Sequence, residues 1–192
     1  MTTLRFFVER GRAAEQYAMI RSGVCMLYAH WEGFIVMAAR SYLEYVAIRR
    51  IAYGQLKRNF LAVGLSHKIR KLRDQRNVTG DMDLVDAILE SAAMPMSRKA
   101  IDVIDAKSNL SPRVLRGILQ ALGLARDLVD PVEEKILEIR LLRIRNRVAH
   151  GEKIEIDISD GDYVGLHRKV VELMDRFRDC VLNAASRGEY RA

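Results

Sequence analysis

Residues 17–46 read YAMIRSGVCMLYAHWEGFIVMAARSYLEYV, and this stretch decides the fold. Its apolar residues stand at positions 17, 20, 24, 27, 31, 34, 38, 42 and 45, so every step is three or four residues. That spacing puts them on one face of an α-helix. We therefore predict one long helix here, or two nearly collinear helices that bend near Gly23 or Gly33.

The composition of the whole chain agrees with a helical fold. The 192 residues include only 12 glycines and 3 prolines, while 49% are apolar and 30% are charged. Few turn-forming residues favour helices over a β-sandwich or a barrel, and the length suits one domain. We predict a single all-α domain over residues 1–192, with its core over about 17–185, built as a bundle of about six helices.

Turn and capping residues divide the first half of the chain. We predict a helix over 55–76 with a basic face, followed by a turn over 77–80. Asp81 or Asp83 can cap the next helix, which ends at the Met-Pro-Met sequence of residues 94–96.

Start and stop signals are clearer in the second half. Ser111-Pro112 opens a helix that Gly123 stops, and Asp130-Pro131 opens another that ends at His150-Gly151. The second of these helices carries one apolar stripe, formed by Leu137, Leu141, Ile144 and Val148.

The last part of the chain contains one more predicted helix. Residues 153–158 alternate polar and apolar side chains, which fits either a short strand or an extended loop. Ser159-Asp160 can cap the final helix, and residues 186–192 are expected to be frayed. The apolar residues of this final helix that we expect to face inward are Leu166, Val170, Leu173, Phe177 and Val181.

The net charge, the cysteines and the apolar segments indicate which partners, metal sites and membrane spans to expect. The net charge is +7 and the pI about 9.6, which favours polyanionic partners without identifying one. Cys25 and Cys180 stand far apart, with no CxxC and no Cys/His cluster, so we expect reduced thiols in a cytoplasm and no metal site. The N-terminus does not read as a signal peptide, and the most apolar stretch is interrupted by His30 and Glu32, so we expect no membrane span.

One short stretch, Arg143 to Gly151, can carry chemistry. A run of arginines near the end of an amphipathic helix suits phosphate, because guanidinium groups bind it bidentately. At about 100° per residue, Arg143, Asn146, Arg147 and His150 share one face, and Arg145 lies on the flank. The same residue types also simply complement the negative end of the helix dipole, which stabilises a helix without any site.

Residues 145–151, RNRVAHG, resemble the RNxxxH form of the Rx4-6H motif of the HEPN superfamily (higher eukaryotes and prokaryotes nucleotide-binding domain). Residues 27–34, LYAHWEGF, continuing to YLEY at 42–45, resemble the second helix of a bacterial HEPN subfamily linked to toxin–antitoxin and phage-defence loci. The sequences NLS at 109–111 and LGL at 122–124 are also typical of that subfamily. The resemblance covers roughly residues 21–184.

The resemblance implies a helical bundle that forms a homodimer, in which two copies of the motif face each other across one cleft. It also implies RNA cleavage without a metal or another cofactor, with Arg145 and His150 as catalytic residues. An imidazole of ordinary pKa, about 6.5, can take a proton from a ribose 2′-hydroxyl near neutral pH. An arginine can neutralise charge on the pentacoordinate transition state, and the products are a 2′,3′-cyclic phosphate and a 5′-hydroxyl.

Three further residues are predicted to shape the site. Asn146 matches the polar residue that commonly follows the motif arginine. Glu32 matches a polar position that often approaches the motif, and it can pair with Arg145 or stay an exposed helix carboxylate. Tyr28 lies one turn from Glu32 and either lines the cleft or belongs to the core. Trp31 is expected in the core, and we favour packing for His30.

Four basic residues are predicted to bind RNA. Arg143 and Arg147 belong to the motif helix, while Lys68 and Lys71 belong to a basic segment, residues 66–73, that can follow an RNA backbone. A solvated helix face explains the lysines equally well.

The resemblance leaves three functions open. The first is an endoribonuclease toxin or phage-defence effector controlled by a cognate antitoxin protein. Control by tyrosine modification is doubtful, because Glu152 stands where a related branch has the modified tyrosine. The second is a non-catalytic module that binds RNA, nucleotide or a partner protein. The third is a DNA-binding regulator, with Arg113, Arg116 and Gln120 as the only candidates for reading bases.

Overall fold

The computed structural model describes residues 13–73, 78–106, 109–152 and 160–192. A π-helical segment, Leu137–Leu142, joins two of the α-helices into one continuous helical stretch over 131–149. Apart from two isolated β-bridges, the described residues form helices and their connections, so the all-α prediction is confirmed. The helices are α1 (Ala13–Ile48), α2 (Arg58–Arg73), α3 (Val78–Ala92), α4 (Pro112–Leu122), α5 (Pro131–Ile136), α6 (Arg143–Ala149) and α7 (Asp160–Ser186).

The chain forms two compact units. The first contains α1 up to Ile35, residues 106–115, and residues 127–177 with the motif helix. The second contains residues 36–105, 116–126 and 178–192. Within the described residues, no helix is both long enough and apolar enough to cross a membrane.

The long first helix is confirmed as a single helix, α1, that runs through both predicted bend points. The predicted apolar stripe is buried in its first part, at Ile20, Val24, Leu27 and Trp31. Further along, Phe34, Ala38 and Tyr45 are only half-buried, and the next residue in each case, Ile35, Ala39 and Val46, is buried instead. The predicted stripe is therefore wrong by one position at these points. The prediction that His30 packs is wrong, because His30 points off this stripe and is exposed.

Gly23 shows why α1 tolerates a glycine in its interior. A Cβ atom built on Gly23 would stand 2.7–2.9 Å from the Tyr163 hydroxyl and ring, so the missing side chain is what lets this buried ring approach. Gly33, ten residues later, has no atom within 4 Å of such a Cβ. The two glycines therefore differ in their roles although both lie in the same helix.

The prediction of a turn at 77–80 is wrong for residues 78–80, which the structure describes as helical. Helix α3 already begins at Val78, so Asp81 and Asp83 lie inside the helix and do not cap it. Gly80 is buried and α2 packs against α3, so tertiary packing overrides the turn-forming composition of this stretch. The break at residues 94–96 is confirmed, since α3 ends at Ala92.

The C-terminal residues are ordered by hydrogen bonds, and the expectation of fraying is wrong. The Lys57 backbone N–H donates to the Tyr190 carbonyl at 2.9 Å, and the Ala192 N–H donates to the Gln55 carbonyl at 3.1 Å. The Tyr190 ring is buried and meets the edge of the Tyr45 ring with 6.0 Å between centroids. This pairing joins residues more than 130 positions apart, so a local pattern cannot reveal it.

The start and stop signals of the second half are confirmed. The Ser111 hydroxyl accepts the Val114 N–H at 3.3 Å, and Gly123 ends α4 with a φ of +70°. Asp130 caps α5. The inward stripe of α7 is buried as predicted, at Leu166, Val170, Leu173, Phe177 and Val181. The predictions for 153–158 and for Ser159 fall outside the described residues.

Candidate functional site

The helical stretch that carries the motif is anchored at its beginning by Glu133. Its carboxylate accepts the Asp130 backbone N–H at 3.1 Å, while Asp130 in turn accepts the Glu133 N–H at 2.8 Å, which is a capping box. Glu133 is only 6% exposed, and it also pairs with Lys169 and Arg176 of α7. These contacts fix where the stretch starts and which way it runs.

The π-helical segment lies between this anchor and the motif. Leu137 and Leu141 are buried as predicted, but Ile144 and Val148 are only half-buried. A π-helical turn holds more residues than an α-helical one, so a stripe drawn at a constant 100° per residue loses its register across the segment. The prediction of one continuous apolar stripe is therefore wrong for its second half.

The end of the motif helix turns the chain back on itself. Gly151 has a φ of +70°, its N–H donates to the Val148 carbonyl at 3.1 Å, and the Glu152 N–H donates to the Arg147 carbonyl at 3.0 Å. This pair of hydrogen bonds is a Schellman motif. It brings Glu152 back over the last turn, where its carboxylate accepts the Arg147 Nε–H at 2.9 Å.

A surface cavity of about 270 Å³ opens on this side of the motif. It combines two guanidinium groups, an amide and the motif imidazole with two carboxylates. The four residues that the helix wheel placed on one face, Arg143, Asn146, Arg147 and His150, therefore all line this cavity. The lining residues are Glu138, Leu142, Arg143, Asn146, Arg147, His150 and Glu152.

Arg145 lies on the other flank of α6, against α1. Its guanidinium carbon stands 4.5 Å from the centroid of the Tyr28 ring, within the range of a cation–π contact. Its Nη1 also donates to the Asn146 Oδ1 at 2.7 Å. Asn146 both contacts Arg145 and lines the cavity, so this side chain connects the two flanks of the motif.

Tyr28 connects Glu32 to Arg145. Its hydroxyl donates to the Glu32 carboxylate and accepts the Leu110 backbone N–H at 2.7 Å. Burial, followed by the hydrogen bond to Glu32, raises the pKa of the Tyr28 hydroxyl, so the neutral donor form is favoured. Tyr28 is buried, in keeping with a core tyrosine, and the same ring supports the motif arginine.

A stripe of polar side chains on α1 faces this region, and only Tyr28 and Glu32 of this stripe were predicted from the sequence to shape the site. Arg21 donates to the Tyr17 hydroxyl at 3.2 Å and to the Glu152 carbonyl at 3.4 Å. Burial raises the pKa of the Cys25 thiol, although the positive charges of Arg145 and Arg21 act in the opposite direction. With Tyr28 and Glu32, these residues occupy positions 17, 21, 25, 28 and 32. Their helical spacing is a signal that the sequence contained.

The four residues predicted to bind RNA are divided between the two compact units. Lys68 and Lys71 are on α2, and both are exposed. Arg143 is exposed and Arg147 half-buried on α6, in the first unit. The roles of these four residues in RNA binding stay predictions.

The chain was compared with models of known families, with curated proteins and with solved structures. A model of the RiboL-PSP-HEPN family matches residues 6–183 of the chain. The matched range contains the motif at 145–151 and the α1 segment at 27–34. No curated protein and no solved structure matches the chain.

Proposed function

The chain belongs to the RiboL-PSP-HEPN family, and from that premise we propose that it is a metal-independent endoribonuclease. HEPN domains commonly bind RNA and act as dimers. The observation that carries the proposal is the arrangement at α6. His150 and Arg147 line a cavity, and Arg145 is held beside it through Asn146 and Tyr28.

The proposed reaction is transfer of the phosphate within the RNA strand. The His150 imidazole takes the proton of a ribose 2′-hydroxyl, and the 2′-oxygen attacks the adjacent phosphorus. The bond from phosphorus to the 5′-oxygen breaks, and that oxygen receives a proton from a second, protonated imidazole. Arg145 stabilises the extra negative charge on the pentacoordinate transition state. The products are a 2′,3′-cyclic phosphate and a 5′-hydroxyl.

We propose that the site is completed by a second copy of the chain. Arg145 and His150 occupy different flanks of α6, with Arg145 against Tyr28 and His150 in the cavity. A second copy supplies the second imidazole that the reaction needs. It also allows the arginine of one subunit and the histidine of the other to act on one phosphate.

We also propose that the enzyme is a cytoplasmic toxin or phage-defence effector with a cognate antitoxin protein. The support is the resemblance of its motif and its α1 segment to the bacterial subfamily linked to such loci. Expression of the wild-type chain should arrest bacterial growth, whereas the His150→Ala chain should not. Equal growth under both conditions would contradict the toxin proposal.

The catalytic roles are tested by RNA cleavage in EDTA with purified variants. We expect His150→Ala to reduce the rate by about 10²–10⁴-fold and Arg145→Ala by about 10²-fold or more. His30→Ala and Arg187→Ala are matched controls, since both residues are exposed and stand outside the motif. Equal activity of all the variants would point to a contaminating nuclease. A complete lack of cleavage of transfer, messenger and ribosomal RNA would favour the binding module.

The dimeric site is tested with a heterodimer. Wild-type and His150→Ala chains are co-expressed with different tags, and the heterodimer is purified through both tags. If one phosphate needs an imidazole from each subunit, this heterodimer holds only one of the two and is as inactive as the His150→Ala homodimer. A heterodimer with about half of the wild-type rate would contradict the shared site.

A further inference from the structure

The outward face of α3 is apolar, unlike that of an ordinary surface helix. Val78, Met82, Val85 and Leu89 are 74%, 63%, 53% and 67% exposed. Their steps of four, three and four residues place them on one side of the helix, which we name the α3 stripe. Ile88, 38% exposed, extends it along one edge.

The opposite face of α3 packs within its own unit. Gly80 and Ala87 are buried there, and they stand on the side of the helix wheel away from the α3 stripe. Large exposed apolar side chains are also concentrated in this helix. Five of them occur in the 15 residues of α3, against four in the 36 residues of α1. Exposed apolar patches of this kind mark interaction surfaces.

The charges around the α3 stripe have one sign. Asp81, Asp83, Asp86 and Glu90 are all exposed, and α3 contains no lysine, arginine or histidine. On the helix wheel Asp81 borders one side of the stripe and Asp86 the other. This acidic helix belongs to a chain whose net charge is +7, so its charge is a local feature.

We propose that the α3 stripe docks a basic amphipathic helix of a partner protein. Apolar side chains of the partner would cover the stripe, and its lysines or arginines would meet the carboxylates of Asp81 and Asp86 at its two borders. The same carboxylates oppose the other occupants. Two α3 helices facing each other would bring the bordering carboxylates of one close to those of the other, and RNA or an anionic lipid surface would be repelled.

This interaction does not depend on the proposed ribonuclease activity. Its observations come from α3 in the second compact unit, whereas the motif belongs to the first. If the chain does act as a toxin, a helix of its antitoxin is one partner with the required chemistry.

The proposal is tested with a synthetic peptide of about 15 residues that contains leucines at helical spacing and lysines elsewhere. A peptide with glutamate in place of every lysine is the matched control. Binding of each fluorescent peptide to the full chain is measured by anisotropy. We expect the lysine peptide to bind, and the glutamate peptide to bind at least about tenfold more weakly.

Two variants separate the apolar and the electrostatic contributions. Met82→Ser with Leu89→Ser keeps every charge, and Asp81→Asn with Asp86→Asn keeps the α3 stripe. We expect each double substitution to weaken the binding of the lysine peptide by about tenfold. Met19→Ser with Met26→Ser, on exposed methionines of α1, should leave binding unchanged.

Three results would overturn the proposal. The first is unchanged binding of the lysine peptide to the Met82→Ser/Leu89→Ser variant, which would show that charge alone attracts the peptide. The second is equal binding of the glutamate peptide. The third is a wild-type dimer that the Met82/Leu89 variant converts to a monomer, which would show that a second copy covers the α3 stripe.

Discussion

Helix α1 carries polar side chains on a face that is buried or half-buried, whereas α3 carries apolar side chains on a face that is exposed. On α1 the polar groups have partners in the fold, as Tyr28 has in Glu32, Leu110 and Arg145. On α3 the large apolar side chains point away from the helix's own packing. Local rules of amphipathicity are broken where function competes with folding. The first exception points to an internal support for the motif, and the second to a partner.

The largest expected effect comes from Tyr28, which tests whether the polar stripe of α1 supports the fold. Tyr28→Leu leaves the buried Leu110 N–H without its acceptor and removes the ring beneath Arg145. We expect a loss of about 3 kcal/mol in the free energy of unfolding, measured by urea denaturation.

Tyr28→Phe separates the two contributions of this side chain. It keeps the ring under Arg145 and loses only the hydroxyl, so the expected loss is about 1–2 kcal/mol. Equal stability of the phenylalanine and leucine variants would mean that the ring contributes nothing.

The next effect concerns Gly23 and Gly33 of α1. We expect their replacement by alanine to change the free energy of unfolding in opposite directions. Gly23→Ala forces a Cβ atom against the buried Tyr163 ring, and we expect a loss of about 1–3 kcal/mol. Gly33→Ala meets no atom within 4 Å, so the gain in helix propensity should stabilise the chain by about 1 kcal/mol. The Tm of each variant is measured by thermal unfolding, monitored by circular dichroism, and compared with that of the wild-type chain. Equal shifts of Tm would show that the contact with Tyr163 is not tight.

The Cys25 thiol reports on where the Arg145 charge lies. Because Arg145 lowers the pKa of this thiol against the effect of burial, Arg145→Gln should raise that pKa and reduce the thiolate fraction at a given pH. Alkylation of Cys25 by iodoacetamide at pH 8 should then be slower, as measured by peptide mass spectrometry with Cys180 as the internal reference. A faster reaction would place the Arg145 charge elsewhere or show that the substitution opens the site.

The smallest effect is expected on α3. Met82→Ser with Leu89→Ser removes exposed side chains, so the free energy of unfolding should change by no more than about 0.5 kcal/mol. The same denaturation experiment measures it. A loss comparable to that of Tyr28→Leu would show that the α3 stripe is part of the fold, and the contrast between the two helices would disappear.

Local chemistry explains which parts of the structure could be predicted. Ser111-Pro112, Asp130 and Gly123 act on neighbouring backbone groups, so their roles follow from the residues themselves. The periodicity of α1 predicted one long helix and its buried face as far as Trp31, whereas further along the buried positions shift by one residue to Ile35, Ala39 and Val46. The turn predicted at 77–80 failed because the packing of α3 outweighed the composition of a few residues.

The contacts that support the candidate site join distant residues. Glu133 pairs with Arg176, 43 positions later, and Tyr28 accepts the Leu110 N–H, 82 positions later. No spacing rule connects such pairs. The family resemblance predicts that Glu32 approaches the motif and can pair with Arg145, and in the structure Tyr28 links the two side chains. The roles of Arg145 and His150 in catalysis stay predictions.

The measurement that tests the central claim most directly compares an RNA that the chain cleaves with the 2′-O-methyl form of the same RNA, both in EDTA. Attack by the 2′-oxygen requires a free 2′-hydroxyl. We predict that only the unmodified RNA is cleaved, that the ends are 2′,3′-cyclic phosphate and 5′-hydroxyl, and that His150→Ala reduces the rate by about 10²–10⁴-fold. Cleavage of the methylated RNA, or loss of all activity in EDTA, would contradict a metal-independent ribonuclease.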